Sequence, residues 1–130
     1  MFLLVILLSA WWTPRCPGEE TEADRVFTAA VRLFQGGWYD RSEKDLGAFV
    51  ANFPASTNRL EAVLLQGQSR FQLKDYEGLI SLLEPQLKDA GSWTDQYLYW
   101  LAQAQSELNR LEPAADTFAR RPGRVGRRRR

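Results

Sequence analysis

The chain has 130 residues, with 17 Lys and Arg against 16 Asp and Glu, no His and one Cys, which bounds it to about one small domain and excludes a multidomain enzyme. Its composition, 45% hydrophobic, 12% aromatic and 25% charged, is that of a chain that buries a core. Seven of the 17 basic residues lie in the last eleven positions, so residues 1–119 keep ten against 16 acidic ones, a net −6, and a general polyanion-binding surface on the body is excluded.

Phe2 to Trp12 is an apolar run of 11 residues, shorter than the ~20 that a membrane-spanning helix needs and suited to the core of a signal peptide. Cys16 and Gly18 satisfy the small-x-small rule for cleavage before Glu19, and cleavage after Ala10 is the other option. A basic segment ahead of the run is missing, which leaves open an uncleaved anchor or a start further upstream. Residues 1–18 are thus expected to be a signal peptide or N-terminal anchor, and the chain to be exported. The bulky Arg15 ahead of Cys16 argues against acylation of that Cys. A catalytic thiol lacks its usual base, since the chain has no His.

From Thr21 to Arg120 the apolar residues recur at helical spacing, and no segment alternates as an amphipathic strand does, so the domain reads as all-α. Thr21 to Asp24 resembles a capping box, and Phe27, Ala30, Val31 and Phe34 follow at i, i+3, i+4, i+7 until Gly36-Gly37 stops the first helix. Asp40 is expected to cap a second, carrying Leu46, Phe49, Val50 and Phe53 and ended by Pro54. Ser56, Thr57 or Asn58 caps a third, with Leu60, Val63, Leu64, Gly67 and Phe71 as its buried stripe. Asp75 caps a fourth that bears Tyr76, Leu79, Ile80, Leu83 and Leu87, is kinked by Pro85 and stops at Gly91. Ser92 to Asp95 reads as a second capping box opening a fifth helix with Tyr97, Leu98, Leu101, Ala104 and Leu108. A short sixth has Pro113 in its first turn, holds Ala114, Ala115 and Phe118, and ends at Pro122-Gly123.

Short turns between six helices imply consecutive antiparallel hairpins and prompt a search for a period. Aligning Gly37-Trp38-Tyr39, Lys74-Asp75-Tyr76 and Asn109-Arg110-Leu111 gives spacings of 37 and 35 residues, close to the ~34 of a tetratricopeptide repeat. Here the chain resembles the tetratricopeptide repeat family. The family's small residue in each first helix is matched by Ala30, Gly67 and Ala102, and its aromatic one turn later by Phe34 and Phe71, with Ser106 departing. The small residue early in each second helix is matched by Ser42 and Ala114, with Leu79 departing. The large apolar residue one turn further is Leu46, Leu83 and Phe118, and Pro54 stands where the family's closing proline sits. The likeness covers about 22–120. It implies two full repeats and one abbreviated repeat stacked as a short right-handed solenoid within residues 19–121. Together with the export signal, it is most like the envelope proteins of bacterial outer-membrane assembly and of the Tol–Pal system, which implies a periplasmic or envelope location.

The resemblance carries a concave groove onto Asp24, Phe27, Val31 and Phe34 of the first hairpin, Glu61, Leu64, Gln68, Phe71 and Gln72 of the second, and Gln96, Tyr99 and Gln103 of the third. Aromatic and aliphatic anchors among amides suit an extended or helical peptide. No Lys or Arg cluster faces that groove, so the family's carboxylate clamp is not evident. The alternative is that Phe27, Phe34, Leu64 and Phe71 are filled by neighbouring helices. The sixth helix offers only Ala115 and Phe118 as bulk, so Trp93, Trp100 and Leu101 are expected to lack full cover and to invite a partner or self-association.

No nucleophile with a base, phosphate-cradling Gly loop or metal-spaced ligand set is present in the sequence, and neither catalysis, cofactor nor metal is expected. The leading expectation is a non-catalytic scaffold that binds a protein or peptide partner. The runner-up is an adaptor whose Arg-rich tail, residues 122–130 with Arg120 and Arg121 ahead of it, is disordered and binds an anionic polymer such as nucleic acid or envelope glycan. The tail also reads as a solvated terminus or as out-of-frame translation of a GC-rich gene. Nucleic acid is not the expected partner of the body, and a membrane is expected to be met only through an uncleaved N-terminal segment.

Overall fold

A computed structural model describes residues 20–120, and the proposed signal segment and Arg-rich tail lie outside them. Six α-helices follow in order: α1 (Glu22–Gln35), α2 (Tyr39–Asn52), α3 (Arg59–Gln72), α4 (Tyr76–Leu83), α5 (Thr94–Glu107) and α6 (Leu111–Ala119), with two 3₁₀ segments, Glu84–Asp89 and Gly91–Trp93, between α4 and α5. No strand occurs among the described residues.

The capping box at α1 forms as expected. The Thr21 hydroxyl accepts from the Asp24 N–H at 3.2 Å and the Asp24 carboxylate accepts from the Thr21 N–H at 3.2 Å, which satisfies donors that a helix start leaves unpaired. Asp75 likewise caps α4, accepting from the Gly78 N–H at 3.0 Å. Three local expectations are corrected. Asp40 lies inside the first turn of α2 and pairs with Lys44 at 2.9 Å, while Trp38 holds the cap position without a side-chain bond. Asn58 precedes α3 but turns its amide toward α1, donating to Asp24 Oδ1 at 3.1 Å. Ser92 to Asp95 forms no capping box. Pro85 does more than kink α4: it ends the α-helix at Leu83 and starts the 3₁₀ segment, because its ring removes a donor and crowds the preceding turn. The first 3₁₀ segment breaks at Ala90, Gly91 takes a φ of 54° to open the second, and the Thr94 hydroxyl donates to Gly91 O at 2.7 Å.

The period found in the sequence reappears in the backbone. Gly37, Lys74 and Asn109 take φ of 79°, 62° and 57°. Each donates its N–H to a carbonyl three residues back, Phe34, Phe71 and Ser106, at 3.0 Å. The next residues, Trp38, Asp75 and Arg110, donate five back to Leu33, Arg70 and Gln105 at 2.8–2.9 Å, the left-handed closure that satisfies a helix's last carbonyls. One turn, repeated at 37 and 35 residues, thus folds each helix pair back on itself.

Each helix packs on the next, and α1 touches α3 while α3 touches α5, so α1, α3 and α5 share a layer. Two clusters make the core. Leu46 and Phe49 of α2 close on Ala30 and Ala62, while Val63 and Leu64 of α3, Leu79, Ile80 and Leu83 of α4, and Tyr97, Leu101 and Ala104 of α5 form the larger one. The matched small residues lie where helices approach closely. Ala30 and Ala102 are buried, the Ala30 carbonyl accepts from the buried Ser42 hydroxyl at 3.1 Å, and a Cβ on Gly67 would stand 3.3 Å from Leu83. A polar junction joins the hairpins: Arg70 reaches Glu43 at 2.9 Å and donates to Gly78 O at 2.7 Å, while Gln66 donates to Glu43 at 3.0 Å.

The third hairpin is better covered than its sequence implies. Leu101 is 2% exposed, Trp93 and Trp100 pack against the larger cluster, and the inward residues of α6 are Ala114 and Thr117, with Ala115 facing out. The Thr117 hydroxyl donates to Gln105 Oε1 at 2.8 Å.

Candidate functional site

The layer of α1, α3 and α5 contains all twelve groove positions expected from the sequence. At the 37- and 35-residue spacings they fall into rows, and the rows have different fates. Asp24 is held by its cap and by Asn58; the Thr21 hydroxyl and N–H, and then Asn58, hold its carboxyl below the usual carboxylate range. Its row mates Glu61 and Gln96 are half-buried and exposed.

The row of Phe27, Leu64 and Tyr99 points into packing. Phe27 meets Phe49 with tilted rings at 5.4 Å between centroids, Leu64 is 2% exposed within the larger core cluster, and Tyr99 meets Trp100 at 5.4 Å and Phe118 at 6.3 Å. Leu64 therefore belongs to the core, as the alternative sequence reading has it. Phe34 and Phe71 make the same edge-on contact across their turns, with Tyr39 at 5.5 Å and with Tyr76 at 5.2 Å.

Val31, Gln68 and Gln103 form a half-buried row, with Gln72 exposed at the end of α3. Gln103 donates to the Tyr99 hydroxyl at 2.9 Å. Phe71 also meets Trp100 edge-on at 5.2 Å, so that Tyr76, Phe71, Trp100, Tyr99 and Phe118 make a continuous run of rings from α4 to α6. Trp100 thus joins Phe71 of α3 to Tyr99 of α5 and, through the Tyr99 hydroxyl, to Gln103, while Gln68 and Gln72 share α3 with Phe71, and Phe27, Phe34 and Leu64 take part in hairpin packing. Trp100, placed in the sequence only as a residue short of cover, anchors this patch. Its signal was the aromatic pair Tyr99-Trp100, two adjacent rings that a helix must send in different directions.

A second feature lies at the turns. Trp38 is 70% and Leu73 46% exposed, and with Tyr39 and Arg41 they line an open cleft of about 280 Å³. The sequence offered one sign of it, a Trp directly after a Gly-Gly helix stop, where the chain must turn at the surface. Deeper in, Tyr97 is fully buried and donates to Leu60 O at 2.6 Å; burial pushes its phenol up to about 12, with Arg59 pulling the other way. This group ties α5 to α3. No group of three His, Cys, Asp or Glu side chains converges among the described residues.

No family model, curated protein or solved structure matches the chain.

Proposed function

We propose that this chain is a tetratricopeptide-like interaction module, exported to a bacterial envelope, that acts as a non-catalytic scaffold and holds a peptide or partner protein on the α1–α3–α5 layer. The observation that carries this reading is the turn repeated at Gly37, Lys74 and Asn109. Identical turns set successive hairpins in the same relation and place equivalent positions of α1, α3 and α5 side by side, which is how repeat arrays build extended binding faces. On that layer Gln68 and Gln72 share α3 with Phe71, Gln103 shares α5 with Trp100, and the two rings meet edge-on. Amides recognise a peptide backbone, and flat rings supply apolar contact at little entropic cost.

A photoreactive residue introduced at Gln68 or Gln72 of the full chain, expressed in bacterial cells, should crosslink a discrete partner in the envelope fraction. The same residue at exposed Lys44 on α2 should not. Equal crosslinking from both faces would overturn the groove assignment. The mature chain recovered from the envelope should begin at or near Glu19, and an intact Met1 on cytoplasmic protein would overturn export.

A further inference from the structure

A cleft of about 360 Å³ opens where the chain after α4, the C-terminal half of α5 and α6 meet. Glu84 lines it from the first 3₁₀ segment, and Glu112 and Asp116 line it from α6, one helical turn apart; all three are exposed. None of these carboxylates has an ion-pair or hydrogen-bond partner among the described residues. They do not converge on one point, as the ligands of a metal would. Gln105 reaches the same cleft from the core. It is 7% exposed, its Oε1 accepts from the Thr117 hydroxyl at 2.8 Å, and its Nε2 has no partner among the described residues. A buried amide donor left open in this way calls for an acceptor. The cleft therefore fits a ligand that spreads cations along it and brings a carbonyl between them, as an Arg-bearing main chain does.

We propose that the Arg-rich segment following Arg120 folds back into this cleft of its own chain, setting Arg124 on Asp116 and Arg127 on Glu112. Arg120 itself lines the cleft, so the segment departs from its rim. The ten residues that follow hold six Arg, and residues 1–119 carry a net −6, so the charges are complementary. Arg121-Pro122-Gly123-Arg124 has Pro second and Gly third, the residues that a type II turn favours, and such a turn reverses the chain toward α6. Three extended residues from Arg124 advance about 10 Å, against about 6 Å for the turn of α6 between Asp116 and Glu112. The long Arg stems absorb the difference. A main-chain carbonyl of the segment then accepts from Gln105 Nε2, and a further Arg reaches Glu84. A docked segment is withheld from anionic polymers until salt or a competing polyanion releases it. The inference does not depend on a partner at the α1–α3–α5 face, so either can fail without the other.

A nitroxide on Val125→Cys, in the full chain with Cys16→Ser, reads the position of the segment through the amide resonances that it broadens. In dilute protein at low salt it should broaden Gln105 and Glu112 to Asp116 strongly and leave Arg41 to Asp45 of α2 sharp. Asp116→Arg, at an exposed position, should abolish the broadening, and adding Arg124→Glu should restore it. Salt at about 1 M, where charges are screened beyond about 3 Å, should abolish it as well. Nitroxide-bearing copies mixed with isotope-labelled copies that lack the nitroxide should give none, which separates folding back from docking in a second copy. Broadening that spares the cleft, that survives both Asp116→Arg and high salt, or that arises only between separate copies would overturn the proposal.

Discussion

At single residues the fold depends most on close approach and on buried polar groups. A Cβ on Gly67 would lie 3.3 Å from three atoms of Leu83, so Gly67→Leu should overpack the second hairpin and cost ~1–3 kcal/mol, read as a lower denaturation midpoint with unchanged helicity. Tyr97 carries a pH dependence. Its phenol is raised from 10.0 to about 12, so the stabilising contribution is fully present below pH 10 and is lost as pH rises through about 12. Tyr97→Phe should cost ~0.5–1.5 kcal/mol at neutral pH through the lost bond to Leu60 and should flatten the alkaline fall in melting temperature. An alkaline fall of the same size in both proteins would show that the buried phenol does not govern it. Both residues were legible as core in the sequence, because apolar stripes at helical spacing carry that information directly. Leu64 shows the limit: periodicity marks a helix face as apolar without saying whether a neighbouring helix or a ligand covers it.

At the scale of elements, the helices and their order were readable and several of their ends were not. Thr21 and Asp75 act as caps because their side chains find their partners within the first turn of their own helix, whereas Asp40 is drawn to Lys44 and Asn58 to Asp24. A cap is a local competition that a distant helix can win, and sequence spacing does not report the distant helix. The 3₁₀ segments after Pro85 were visible only as a kink for a related reason, since both pack against α5, a contact the local sequence does not report. The junction of α2 with α3 was not legible at all: Glu43, Gln66 and Arg70 read as surface charges and an amide until the hairpins are stacked. Glu43 and Arg70 are only 21% and 25% exposed at the side chain. Glu43→Ala should leave the Arg70 head without its carboxylate and cost ~1–3 kcal/mol, more than Arg41→Ala, whose partner Asp45 sits on the same helix in water. Equal costs for the two substitutions would place the junction's stability in its apolar contacts alone.

Across the whole molecule, stability should fall from the middle of the array toward its last helix. The larger core cluster is built by α3, α4 and α5, whereas α6 offers Ala114, Thr117 and Phe118 to α5. Amide exchange should therefore be slowest in α3 and α5 and fastest from Glu112 to Ala119, and exchange through α6 as slow as that of α3 would show that its short apolar face suffices. The all-helical class and the order of hairpins were legible because the period could be counted. The exposure of Val26 and Leu111 was not, because it appears only once each residue is compared with its covered equivalents.

The three left-handed turns bear on how such a chain can grow. Gly37, Lys74 and Asn109 are different residues in one geometry, so the ends of the segment 38–74 are matched like those of an interchangeable cassette. That cassette contains α2, α3 and both halves of the Glu43–Arg70 pair. Splicing a second copy of it after Lys74 should produce a longer array with an intact ion pair at the new junction, unchanged helicity per residue and a higher melting temperature, since each internal unit adds an interface. A spliced chain that melts earlier than its parent would mean that the geometry of the turns alone does not make the hairpins exchangeable. Lengthening by duplication would then require no new loop, only a tract copied between two points whose torsion angles already agree.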